Sequence, residues 1–233
     1  MHVFGFIQQS LTTGLHLFGT GVYGFAIMYQ MAHNDPNNPR SSYIGDIKYL
    51  TYWNLLFQFM FNSLSLVKDI FVSNTESHSF SVFLDSTFFC TTFPFSVFVC
   101  GTFWLLDFVD KGSVRDPDVN SRYPEWYTHI THSLNGPMNF IEMLMTYHEE
   151  PYHRHAILVL LTVFSLYFTL LIILGIFVDL WIYPFLAKLY WSQRIIFAVI
   201  CGVILIIYYM TGVGLSKVLW PQCRVNWYKK VLK

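Results

Sequence analysis

Polar residues interrupt the apolar run 49–70 at a helical interval. Thr51, Asn54, Gln58 and Asn62 stand at i, i+3, i+7 and i+11, positions that an α-helix returns to nearly one face, and Ser65 and Asp69 extend the stripe. The run 126–147 repeats the pattern with Thr128, His132, Asn135, Asn139, Glu142 and Thr146. Four further runs, at about 4–31, 86–107, 156–181 and 195–216, are nearly uncharged and reach the roughly 20 residues that a spanning helix needs. The pattern predicts an all-α polytopic membrane protein, a bundle of six transmembrane helices forming a single domain over 1–233 with a short basic C-terminal tail.

Composition agrees with a bilayer as the solvent: 54% of residues are hydrophobic, 12% are charged, and 23 are phenylalanine. Formal net charge is +0, from 14 basic and 14 acidic side chains, so nucleic acid is not an expected partner and the bilayer is. Met1 and His2 supply no basic n-region, and the first run is expected to stay as a signal anchor. Cys90, Cys100, Cys201 and Cys223 have no paired spacing, so neither a disulfide framework nor a zinc ribbon is implied. Six spans put both termini on one side. Lys217, Arg224, Lys229, Lys230 and Lys233 argue that this side is cytosolic, in the endoplasmic reticulum or plasma membrane.

Unpaired polar groups in hydrocarbon cost several kcal/mol each, which turns both stripes toward the bundle interior and toward each other. Asn, Gln and Thr in such a stripe commonly join helices by hydrogen bonds, and a helical threonine commonly bonds back to the carbonyl one turn earlier. His132 and Glu142 carry more information, because ionisable side chains within a span are costly. Thr51 enters its helix from the same membrane face as His132 and at similar depth. A hydroxyl and an imidazole on facing stripes form a nucleophile and base pair of the kind used for acyl transfer. Asn54 and Asn135 are then candidate oxyanion donors, Gln58, His129 and Glu142 are supporting or substrate-binding candidates, and Gly136 with Pro137 is expected to bend the fourth helix beside the histidine.

The segments "KYLTYWNLLFQ" (48–58), "FPFSVFVCGTFWLLDFVDK" (93–111), "WYTHITHSLNGPMNFIEM" (126–143) and "WIYPFL" (181–186) occur in an order that resembles the androgen-induced and androgen-dependent TFPI-regulating proteins. That resemblance implies a polytopic hydrolase of fatty acid esters of hydroxy fatty acids, without cofactor or metal, whose membrane lipid ester is cleaved by an intramembrane threonine with a histidine partner. It assigns those roles to Thr51, followed by Asn54 and Gln58, and to His132, the second histidine after Trp126. The chain departs from the family's pattern at Thr128, where asparagine is usual, and at Asp179, where glycine is usual.

Two other classes compete with the hydrolase. "HITH" (129–132) and "HEEPYHRH" (148–155) raise a di-iron desaturase or hydroxylase, although the fourth span separates the clusters. A lipid-binding or regulatory scaffold would use both stripes only as helix contacts. His16, with Thr13 one turn away on a glycine-bearing helix, is expected to serve packing.

Overall fold

The computed structural model describes residues 2–33, 45–71, 78–109 and 123–221, apart from the side chains of 2–6 and 184. The expected basic tail beyond 221 and the loop cations Arg40, Lys111, Arg115 and Arg122 lie outside these residues. Every regular element among the described residues is helical: α1 (His2–Ala32), a 3₁₀ turn (Gly45–Lys48), α2 (Leu50–Phe71), α3 (His78–Val109), α4 (Glu125–His132), α5 (Asn135–Met145), α6 (His153–Phe177), the single turn α7 (Pro184–Ala187) and α8 (Trp191–Leu219). Three of these, α3, α6 and α8, are long and apolar enough to cross a membrane. In α2 the polar stripe dilutes the apolar run, and the fourth run is divided between α4 and α5.

Helix α3 occupies the centre, where Phe88, Phe89 and Phe95 pack with Leu160 of α6 and Leu205 and Tyr209 of α8. It contains a π-helical turn, Phe88–Thr92, directly before Pro94. Proline supplies no N–H to the helical ladder, and the looser turn accommodates the missing bond. The Thr92 carbonyl there accepts a hydrogen bond from Gln58 Nε2 at 3.0 Å. Helix α1 lies against α2, and Gly19 sets their approach: a Cβ built at that position would come within 2.2 Å of Asn62 Oδ1. Gly14 and Gly21, also expected to ease packing, meet nothing within 4 Å.

The fourth run breaks as its Gly-Pro pair predicts. Residues 133–134 interrupt the helix, and the N–H groups of Ser133 and Leu134 both return to the His129 carbonyl at 2.9 Å. Pro137 cannot donate to the carbonyl of Ser133, and its ring would crowd that group in a continuous helix.

At the end of α2 opposite Thr51, five ionisable side chains form a chain. His16 Nδ1 lies 2.7 Å from Asp69 Oδ2, and His16 Nε2 lies 3.0 Å from Glu142 Oε2. The other Glu142 oxygen is 3.0 Å from His148 Nε2, whose Nδ1 is 2.8 Å from Asp85 Oδ1. Every contact pairs an imidazole nitrogen with a carboxylate oxygen and therefore requires one shared proton. The chain joins α1, α2, α3, α5 and the segment after α5. His16 thus does more than pack, and Glu142, a supporting or substrate-binding candidate by sequence, bonds to two histidines.

The segment after α6 turns back sharply. Asp179 has φ 53°, the left-handed conformation that glycine adopts most readily and aspartate better than most residues, which explains why glycine suits this position. Leu180 N–H closes onto the Leu174 carbonyl at 3.1 Å, and Trp181 lies so close to Gly175 that a Cβ there would meet its ring at 2.6 Å.

Two stability outcomes follow. Glu142→Gln should lower stability by about 3–5 kcal/mol, the usual result of breaking a buried ion pair from one side, as read from denaturant unfolding in detergent. A loss below about 1 kcal/mol would show that the chain contributes little. Asp179→Gly should melt at or above the wild-type temperature, whereas Asp179→Val should lose about 1–2 kcal/mol from the left-handed penalty. Equal melting of the two variants would contradict the backbone assignment.

Candidate functional site

The 3₁₀ turn Gly45–Lys48 leads directly into α2 and places Thr51 in its first turn. Tyr167 Oη donates to the Lys48 carbonyl at 3.2 Å, and Trp53 Nε1 donates to the Ile47 carbonyl at 2.6 Å, so both a neighbouring helix and α2 itself fix this corner. The Thr51 hydroxyl does not make the usual threonine bond. Thr12, Thr13, Thr87, Thr91, Thr131 and Thr211 all donate to the carbonyl four residues earlier. The corresponding carbonyl for Thr51 belongs to Ile47 and already receives the Trp53 indole. Thr51 Oγ1 instead lies 3.1 Å from His132 Nε2.

Helix α4 presents His132 from its last turn, just before the break. The ring stacks on Phe103 of α3, with centroids 3.7 Å apart and planes 22° from parallel. Trp104 Nε1 donates to the His132 carbonyl and to Ser133 Oγ, each at 3.2 Å. His132 Nδ1 lies 3.3 Å from the Thr128 carbonyl and 2.9 Å from Thr131 Oγ1. A carbonyl can only accept, and the Thr131 hydroxyl proton is directed to the Tyr127 carbonyl at 2.9 Å. Nδ1 therefore carries the proton, leaving the Nε2 lone pair facing Thr51 Oγ1–H. This is the tautomer a general base requires. It depends on the backbone of Thr128, so the departure from asparagine at that position leaves the arrangement intact.

Thr51 and His132 border a cavity of about 180 Å³. Gln30, Asp46, Tyr123 and Tyr127 line its polar part; Phe98, Phe164, Leu171, Ile182, Phe185 and Phe197 line an apolar recess among α3, α6, α7 and α8. The space therefore offers an alkyl chain a surface beside a hydroxyl–imidazole pair.

Four other stripe residues do not reach the cavity. Asn54, Gln58, Asn135 and Asn139 are each at most 2% exposed and none lines the cavity. Gln58 Oε1 accepts from Asn139 Nδ2 at 2.9 Å, Gln58 Nε2 donates to Asn54 Oδ1 at 3.3 Å, and Asn135 Nδ2 donates to the Thr131 carbonyl at 2.5 Å. These bonds join α2 to α5, and Asn135 braces the turn that carries Thr131 and His132. Glu142 belongs to the ionic chain at the far end. His129 is exposed, stacks on Trp104 and bonds Ser133 Oγ at 3.1 Å.

The histidine clusters are dispersed: His132 faces Thr51, His148 faces Asp85 and Glu142, and His153 Nδ1 lies 2.7 Å from Tyr209 Oη. Among the described residues no group of His, Cys, Asp and Glu has the geometry of a metal centre. Sequence reasoning missed Phe103, which stacks on the His132 ring, and the Tyr167–Tyr183 hydroxyl pair in the cavity wall, with oxygens 3.2 Å apart. The only signal for the tyrosine pair was the unexplained motif around Tyr183.

Comparison with known proteins agrees with this architecture. The chain is 27% identical to the mouse androgen-dependent TFPI-regulating protein over 78% of its own length and 83% of the relative's. It is 25% identical to the human androgen-induced gene 1 protein over 77% and 79%, and 24% identical to the golden hamster androgen-dependent TFPI-regulating protein over 76% and 78%. No solved structure matches the chain. The model of the FAR-17a/AIG1-like proteins matches residues 11–217, and with nearly the whole described chain inside that match, this protein belongs to the FAR-17a/AIG1-like family.

Proposed function

We propose that this protein is an intramembrane hydrolase of fatty acid esters of hydroxy fatty acids or similar lipid esters. Thr51 is its nucleophile and His132 its base. The observation that carries this reading is the 3.1 Å approach of Thr51 Oγ1 to His132 Nε2 inside a largely apolar cavity. His132 Nε2 takes the hydroxyl proton as Thr51 Oγ1 bonds to the acyl carbon, and the carbonyl electron pair moves onto its oxygen. Collapse of this intermediate expels the alkoxide, which receives the same proton, and leaves an acyl ester on Thr51. Water activated by His132 then releases the fatty acid and restores the hydroxyl. The ester can react where its chains are already dissolved, because the apolar recess replaces the lipid around one of them.

In this reading α1, α2, α3, the α4–α5 pair, α6 and α8 are six spans of a single domain. The termini face the cytosol, and the membrane is that of the endoplasmic reticulum or the cell surface. Alternating spans put the turn before α2 and the start of α4 on one face, as the Thr51–His132 contact requires. Asn54, Gln58 and Asn135 support the site by fixing α2 against the α4–α5 pair.

A fluorophosphonate should attach to Thr51 of the purified protein. Labelling should disappear in Thr51→Ala and fall about 100-fold or more in His132→Ala, together with hydrolysis of fluorescent lipid esters. Normal ester turnover by folded Thr51→Ala would refute the nucleophile assignment and favour a scaffold role for the stripe. Cysteines introduced at Gly45 and Glu125 should react with an impermeant maleimide from the same side of sealed vesicles. Reaction from opposite sides would rule out the six-span arrangement.

A further inference from the structure

The proposed reaction generates an oxyanion that Asn54 and Asn135, the donors expected from the stripes, do not reach, because neither borders the cavity. Six tyrosines line the cavity with Thr51, and two of them, Tyr167 and Tyr183, bring their hydroxyls together. Tyr167 comes from α6, and Tyr183 from the segment that returns under the bundle after Asp179. Both line the cavity with Thr51, and their hydroxyl oxygens lie 3.2 Å apart.

Proton counting separates their roles. Tyr167 Oη donates to the Lys48 carbonyl, which can only accept, so its proton is committed to holding the corner before α2. Tyr183 O–H is thus left to point at Tyr167 Oη across 3.2 Å, the long end of the range for a hydroxyl–hydroxyl bond. It is the proton in this group that can turn toward a new acceptor at the smallest loss.

The surroundings hold Tyr183 firmly. Arg194 lies between two indoles, its guanidinium carbon 3.8 Å from the centre of the Trp181 ring and 4.6 Å from that of Trp191. Its Nε donates to the Leu186 carbonyl at 3.0 Å and its Nη2 reaches the Ala187 carbonyl at 3.5 Å. Arg194 is only 8% exposed. The clamp therefore grips the chain on both sides of Tyr183, through Trp181 before it and Leu186 after it. A phenol fixed by its backbone, with a rotatable hydroxyl, suits a charge that exists only in the transition state.

We infer that Tyr183 is a third catalytic residue, whose hydroxyl donates a hydrogen bond to the oxyanion formed as Thr51 attacks the ester, with Arg194 as its positioning residue. This rests on the hydrolase reading above. As the carbonyl electron pair moves onto oxygen, Tyr183 O–H turns from Tyr167 Oη to that oxygen. It turns back on collapse, and no proton is transferred in the exchange.

The test uses full-length protein in detergent with a fluorogenic fatty acid ester, and a long-chain trifluoromethyl ketone as a mimic of the tetrahedral intermediate. Tyr183→Phe should lower kcat by about 100- to 1,000-fold, as removal of one oxyanion donor typically does, with KM within about threefold. Affinity for the ketone should fall by a comparable factor while the melting temperature is unchanged. Tyr167→Phe should retain kcat within about tenfold. A Tyr183→Phe enzyme with wild-type kcat and ketone affinity overturns the inference, while wild-type turnover leaves the hydrolase reading intact. A wild-type protein with neither ester turnover nor label at Thr51 removes both. If Tyr183→Phe does not fold, 3,5-difluorotyrosine at 183 preserves the ring. Its more acidic phenol should shift the pH profile of kcat, and an unshifted profile overturns the inference.

Discussion

In an apolar surrounding, a polar side chain on a helix must find its partner inside the protein, and this constraint organises the bundle. Along α2, Gln58 meets Asn54, Asn139 and the Thr92 carbonyl, Asn62 Nδ2 meets the Gln58 carbonyl, and Asp69 meets His16. These bonds fix the rotation and register of α2 against α1, α3 and α5 more specifically than phenylalanine packing can, because hydrogen bonds are directional and apolar contacts are not. The membrane gives helices little hydrophobic reason to associate, so directional bonds and close packing at Gly19 take over that task.

Thr51 stands apart from this scheme. Its hydroxyl is at the first turn of α2, beside the Trp53–Ile47 contact, and its partner is an imidazole on another element. The helix break after His132 serves the same end. It terminates α4 at the histidine, while α5 resumes with Asn135 bracing the turn from behind. Phe103 and Thr131 then fix the plane and tautomer of the ring.

The Thr51–His132 pair was legible in the sequence because both residues belong to helical stripes, and helical periodicity converts spacing into a shared face. The break near Pro137 was legible from proline's missing donor. The ionic chain was less so: Asp69 and Glu142 sit on their stripes, but His16, Asp85 and His148 come from other elements, and no local pattern pairs residues 126 positions apart, as His16 and Glu142 are. Tyr183 was hidden for a different reason. It lies in a non-periodic segment whose path is set by one left-handed residue and a stacked arginine, and neither feature produces a repeat. Asp179 was visible as a departure from the family pattern, but its meaning is conformational and required a φ angle. Six spans were read from run length, whereas only α3, α6 and α8 are apolar enough for composition alone to identify them.

The contact between Gln58 and Asn139 also bears on how such a chain can change over generations. Gln58 uses its oxygen on α5 and its nitrogen on α2 and on the π turn of α3, so a new side chain at 58 disturbs three helices at once. Drift at this position is therefore expected in concert with drift at 54, 139 and the segment before Pro94, as linked variation rather than independent change. The aliphatic side chains of Leu171 and Ile182 in the cavity lining form no hydrogen bonds and carry no such linkage. The same ancestral scaffold can thus acquire differently shaped recesses while its polar ladder stays in register.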